Sequence, residues 1–254
     1  MNWFYLLPFN YFYLTRLRNG SILFHLLFEW LAAFWLVALL GAGTIGENLL
    51  SSIISYLAFI SIYELGYIAN DLHSAKREVD GRRRGPQDAS IFWILLWVIC
   101  RITVFFVCTI LLEKLLDSDW WLFFVSLIFV FLMHNFLNDR EAKTTTFAWL
   151  AWLRFMAPLI FVVRSDQVIG IGLAAAIGYV AYRQLGYMDS KNLLLMPGRK
   201  RTGFRLFFFL MPLVGVAVLW SYTNAQGYFL LTSYWAAVAA AGSAISIFLT
   251  RKTQ

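Results

Sequence analysis

Charge is scarce in this chain, and so are cysteine and proline. Only 14% of the 254 residues are Asp, Glu, Lys or Arg, while 61% are hydrophobic and 19% aromatic. So few charges cannot keep the surface of a soluble domain wet, which excludes that class and points to a polytopic helical membrane protein. The two cysteines, Cys100 and Cys108, are eight residues apart in one predicted span. Their axial separation of roughly 12 Å excludes a mutual disulfide, so both read as packing residues. Five prolines and no low-complexity stretch leave no linker at which to divide the chain, and residues 1–254 are expected to form one integral domain. No short apolar segment ending in a cleavage site opens the sequence, so no removable signal peptide is expected. The three histidines, His25, His73 and His134, lack metal-ligand spacing.

What the chain has instead is apolar runs of membrane-spanning length. They cover approximately residues 21–43, 49–70, 90–112, 120–138, 145–163, 167–188, 204–223 and 228–249. Eight helices follow, each near the ~20 residues that a bilayer requires. Of the Lys and Arg residues, sixteen fall on one side of this layout, among them Arg16, Arg18, Arg82, Arg83, Arg84 and Arg201. Only Lys114 and Arg164 fall on the other. The excess of basic residues marks the cytoplasmic side, so both termini are expected there, in a cell inner membrane. The same loops absorb most of the net charge of +7, which removes the argument for a nucleic-acid partner. Arg101, Arg154 and Arg183 lie within spans, where charge is expensive; acids such as Glu29 and Glu64 are the expected partners of the deeper two. Residues 1–20, aromatic with Arg16 and Arg18, read either as an amphipathic segment on the inner leaflet or as a cytoplasmic lead-in.

The densest polar signal is Glu64-Leu-Gly-Tyr-Ile-Ala-Asn70-Asp71-Leu-His73-Ser74-Ala-Lys76-Arg77-Glu78-Val-Asp80. Glu64, Asp71 and Glu78 recur every seven residues and would share one helix face. Tyr63-Glu64-Leu65-Gly66-Tyr67 closes the second span, and Arg183-Gln184-Leu185-Gly186-Tyr187, followed by Asp189 and Lys191, closes the sixth. The shared Leu-Gly-Tyr, at an offset of 120 residues, suggests a duplicated four-helix unit with halves of about 21–138 and 145–249. Each copy would end its second helix in a cytoplasmic polar turn, and the two turns would face one cavity.

These residues resemble the UbiA superfamily of intramembrane prenyltransferases, the group that contains 4-hydroxybenzoate polyprenyltransferase. Its first motif, Asn-Asp-x-x-Asp-x-x-x-Asp, is matched by Asn70 and Asp71, with Ser74 at the middle acid and Glu78 at the last; Arg82, Arg84 and Pro86 resemble its trailing basic segment. His134-Asn135 through Asn138, Arg140, Lys143, Thr146 and Phe147 is similar to a polar segment of the family, and Pro158 also fits. Of the second acidic motif only Asp189 remains, and the family usually has nine helices rather than eight. The resemblance implies an all-α, UbiA-like membrane bundle that transfers a prenyl group from a polyprenyl diphosphate-type donor to an acceptor at the cytoplasmic face, assisted by Mg2+, with a polyprenyl diphosphate or polyprenyl phosphate lipid as its partner. It implies Asn70, Asp71, Glu78 and Asp189 as metal ligands, with Glu64, Asp71 and Asp189 as catalytic groups. Lys76, Arg77, Arg82, Lys191 and Arg201 would contact the diphosphate, and Tyr63, Tyr67, Tyr182 and Tyr187 would line the cavity. Magnesium and basic side chains would neutralise the leaving group, and aromatic walls would shield the allylic cation.

Plainer readings stand beside these. Asn70 and Asp71 are also what a helix end in interfacial water would carry. The arginine run is also a topology signal, and tyrosines at helix ends are also interfacial anchors. A degenerate member with fewer acids would bind an isoprenoid lipid or a membrane partner without chemistry. Two other membrane-enzyme classes are disfavoured. A lipid phosphatase needs a Ser-Gly-His core that is missing, and a CDP-alcohol phosphotransferase needs acids that do not follow Asp80-Gly81-Arg82.

Overall fold

The helices turn large apolar side chains outward and bury some of their polar ones. On the helix Ile91–Leu111, Phe92, Leu95, Ile99, Ile102, Phe106 and Ile110 are exposed, whereas Arg101 and Thr109 are buried with Trp97 and Phe105. An apolar stripe of that size has no stable place in water; its solvent is lipid. The chain is accordingly an integral, multi-pass membrane protein. A computed structural model describes residues 2–18, 20, 22–72, 84–86, 88–222 and 225–252. These residues are helical, with one isolated antiparallel bridge between Gly41 and Val163.

The long helices in chain order are α1 (Ile22–Leu40), α2 (Ile45–Leu72), α3 (Ile91–Leu111), α4 (Ser118–Phe136), α5 (Ala142–Met156), α6 (Ser165–Ser190), α7 (Thr202–Leu219) and α8 (Ala225–Lys252). Among the described residues seven of these are long and apolar enough to cross a membrane, and α5 is not one of them. The fifth expected span, 145–163, is thus represented by a 15-residue helix that ends at Met156 and continues as turns over 157–162. Its length of roughly 22 Å falls short of the ~30 Å apolar layer. Pro158 accounts for the stop, because it has no N–H to offer the carbonyl of Arg154 four residues back.

Local chemistry sets the other boundaries. Thr44 and Glu47 form a reciprocal capping box at the start of α2: Glu47 Oε2 accepts from the Thr44 amide at 3.0 Å, and Thr44 Oγ1 from the Glu47 amide at 3.4 Å. Asp117 caps α4 by accepting the amides of Asp119 and Trp120 at 2.9 and 3.2 Å. Three short π-helical turns interrupt the helices, at Tyr13–Leu17, Leu26–Trp30 and Ala176–Val180. Such turns widen the helix locally and re-aim side chains.

The chain folds into two compact units, Met1–Ile22 with Leu50–Phe161, and Leu23–Leu49 with Val162–Gln254. Helix α1, assigned to the first half by the sequence repeat, therefore belongs with the second unit. Hydrogen bonds from α8 to the α1 backbone explain why. Trp235 Nε1 of α8 donates to the Phe28 carbonyl at 2.9 Å, and Tyr234 Oη to the Leu27 carbonyl at 3.0 Å. In the first unit, His134 Nδ1 meets Thr146 Oγ1 at 2.8 Å, tying α4 to α5.

Candidate functional site

In the first unit the acids of α2 are buried and matched to arginine. Glu64 Oε2 accepts from Arg101 Nε at 3.0 Å, with Nη2 of the same guanidinium 2.8 Å away as an ion pair, and its Oε1 accepts the backbone amide of Phe12 at 2.6 Å. Arg101 Nη1 also donates to the carbonyls of Tyr5 and Trp97, both at 3.0 Å. Two helical turns further, Asp71 receives a forked guanidinium. Arg16 Nη2 reaches Oδ1 at 2.7 Å, Nη1 reaches Oδ2 at 3.0 Å, and Tyr11 Oη adds a third donor at 3.1 Å. A bidentate arginine with a further donor satisfies a carboxylate that has no access to water. Burial, and then the Asp71 charge beside it, push the Tyr11 hydroxyl well above its ordinary pKa, so it stays a donor.

Aromatic rings surround this pair. The Arg16 guanidinium lies 4.4 Å from the Tyr67 ring centre, and Tyr63 meets Tyr67 and Phe131 edge-on at 4.9 and 4.7 Å. Arg154, the other deep arginine, sits 5.4 Å from the Phe12 ring centre. Asn70 is half-buried and turns its amide toward Asp71 Oδ1 at 3.4 Å. Gly66 is where Phe131 of α4 comes closest to α2: a Cβ there would lie 2.3 Å from a ring carbon. Of the expected site residues, Glu64, Asp71, Asn70, Tyr63 and Tyr67 are thus gathered in this unit, and Arg101 and Arg16 complete them. Lys76, Arg77, Glu78 and Arg82 lie outside the described residues.

In the second unit Asp189, near the end of α6, is partly exposed and accepts from Arg199 Nη2 at 2.5 Å, and the Arg199 side chain passes over Gly186. The two Leu-Gly-Tyr glycines therefore both admit a close neighbour, a phenyl ring at Gly66 and a guanidinium at Gly186. Tyr182 is buried among Phe24, Phe208 and Phe209 and accepts from Arg205 Nε at 3.4 Å. Tyr187 and Lys191 are half-buried, and Arg201 is exposed. A further polar chain links α1 to α6; it uses Glu29, which the sequence offered as a partner for a deep arginine, and His25, which it left unassigned. Tyr179 donates to Glu29 Oε2, His25 Nδ1 meets the same oxygen at 2.8 Å, and Arg183 Nη1 meets His25 Nε2 at 3.1 Å. Since a guanidinium only donates, His25 is assigned as neutral, with its proton on Nδ1. The only advance signal was spacing, His25 and Glu29 one turn apart in one span and Tyr179 and Arg183 in another.

Magnesium, which the resemblance implies, is poorly served by these donors. Asp71 holds a guanidinium on both oxygens, Glu64 is held by Arg101, and Asp189 by Arg199. Among the described residues no group of three or more His, Cys, Asp or Glu side chains is placed to hold a metal ion. The described residues do not fit a magnesium centre. Comparison with protein-family models, curated proteins and solved structures returns no match.

Proposed function

We propose that this chain is a UbiA-like membrane protein that binds an isoprenoid lipid bearing a phosphate or diphosphate, and does not turn it over. The observation that carries this reading is the bidentate Arg16–Asp71 pair: the acid that opens the Asn70-Asp71 motif is engaged by a cation of the chain itself. The aromatic residues about it, Phe12, Tyr63, Tyr67 and Phe131, suit an unsaturated hydrocarbon chain. Basic residues that follow the motif in the sequence, Lys76, Arg77 and Arg82, supply charge for the head group, with both termini on the cytoplasmic side of the inner membrane.

A second reading, magnesium-assisted prenyl transfer to an acceptor, is favoured by the motif spacing of Asn70, Asp71 and Glu78. One experiment separates the two. Protein in nanodiscs is offered geranylgeranyl diphosphate or a longer polyprenyl phosphate, with MgCl2 or with EDTA. The binding reading expects retention of lipid in EDTA and no release of inorganic diphosphate from the diphosphate lipid in MgCl2. Lipid retention that requires MgCl2 and is lost in Asp71→Asn would replace it with prenyl transfer; no retention of either lipid would reject isoprenoid recognition altogether.

A further inference from the structure

The motif at the end of α2 is met by a part of the chain that the motif itself does not call for. The N-terminal residues 2–17 run against the first unit as a short 3-10 turn, a single α turn and a π-helical turn. One face is exposed at Trp3 and Leu7, while Tyr11, Phe12 and Leu17 on the other face are almost wholly buried. The segment bends at Phe9, whose φ of 79° is rare for a bulky residue and needs a surrounding structure that holds it. That bend lets the backbone amides of both Phe9 and Phe12 face the Glu64 carboxylate. Further along, Tyr11 and Arg16 converge on Asp71.

On this face each acid already has its own arginine, Asp71 with Arg16 and Glu64 with Arg101. A divalent ion on Asp71 would stand against the Arg16 guanidinium in surroundings largely shut off from water, and so could bind only by expelling it. Gly85 closes the arrangement: a Cβ there would lie 2.2 Å from Tyr11 Oη and 3.6 Å from Asp71 Cβ. The backbone at Gly85 thus lies directly over the Tyr11–Asp71 contact.

We infer that residues 2–17 form an internal strap with Arg16 as its resident cation, seated on Asp71 where a divalent ion would otherwise bind and closing that carboxylate to metal. This rests on the reading of Asp71 as the polar centre of the site, but not on which lipid, if any, is bound.

The test uses full-length protein and Mn2+ alone, with no lipid, and counts bound Mn2+ by electron paramagnetic resonance. Wild type is expected to show no Mn2+ site that depends on Asp71. Arg16→Ala should gain one, at least about tenfold tighter than any in wild type, and Arg16→Ala with Asp71→Asn should lose it again. An Asp71-dependent site already present in wild type, or no gain in Arg16→Ala, overturns the inference. If Arg16→Ala fails to fold, hydrogen exchange of the wild type decides. The amides of Phe12 to Leu17 should be protected and should stay protected when Mn2+ is added; immediate exchange, or loss of protection on adding Mn2+ alone, overturns it. Because no isoprenoid enters the assay, a failure of the lipid-binding reading leaves this result untouched.

Discussion

Arg101 and Arg154 both stand in apolar surroundings, yet they are accommodated differently. Arg101 has a carboxylate and two carbonyls around it, whereas Arg154 faces the ring of Phe12. The Arg101–Glu64 pair was legible in the sequence, because a charge inside a span demands a partner and few acids are near enough in depth. Arg16 was not, since a basic residue before the first span reads equally well as a topology signal. Outside the spans, Asp117 offers a clean titration. The Lys114 ammonium, 2.7 Å away, holds the Asp117 carboxyl below its ordinary range, with smaller help from the amides it caps and against a cost of burial. Its native value being depressed, its contribution is complete above the ordinary carboxylate range and fades as pH falls through the native value. Asp117→Ala should therefore cost about 1 kcal/mol at neutral pH. Thermal unfolding in detergent should show the gap from wild type closing below a pH of about 4.

Helices were easier to foresee than the way they pack. Seven of the expected spans have counterparts of membrane length, because apolar runs near twenty residues leave the backbone no other way to satisfy itself. The run 145–163 was misjudged because hydropathy averages over a window and does not register what Pro158 does to the hydrogen-bond ladder. The link from α1 to α6 and α8 was also hidden. Partners such as Glu29 and Tyr179 lie in distant spans, and the spacing within one span does not say which other span it meets. The approach of α4 to α2 can be tested at one atom. Gly66→Ala puts a methyl group against the Phe131 ring and should destabilise the protein by about 1–3 kcal/mol. Phe131→Leu should recover part of that loss, and thermal shifts of the two single variants and the double variant would show the coupling.

For the chain as a whole, composition alone established that lipid is its solvent, and the outward apolar faces agree. The sidedness is open to direct measurement. With Cys100 and Cys108 replaced by Ala, a cysteine at Asp166 should react with an impermeant maleimide only from outside intact cells. One at Ser190, the other end of α6, should react only after the membrane is opened. The two compact units are also interleaved along the sequence: Leu23–Leu49 is completed only by the chain beyond Val162, and the strap of residues 2–17 finds Asp71 and Arg101 only downstream. A ribosome delivers such a protein in an awkward order. Residues 2–17 are made well before their destinations exist, and α1 has to wait in the bilayer while α2 to α5 are made. Assembly of this protein is therefore a matter of late docking, in which the first-born segments are among the last to settle.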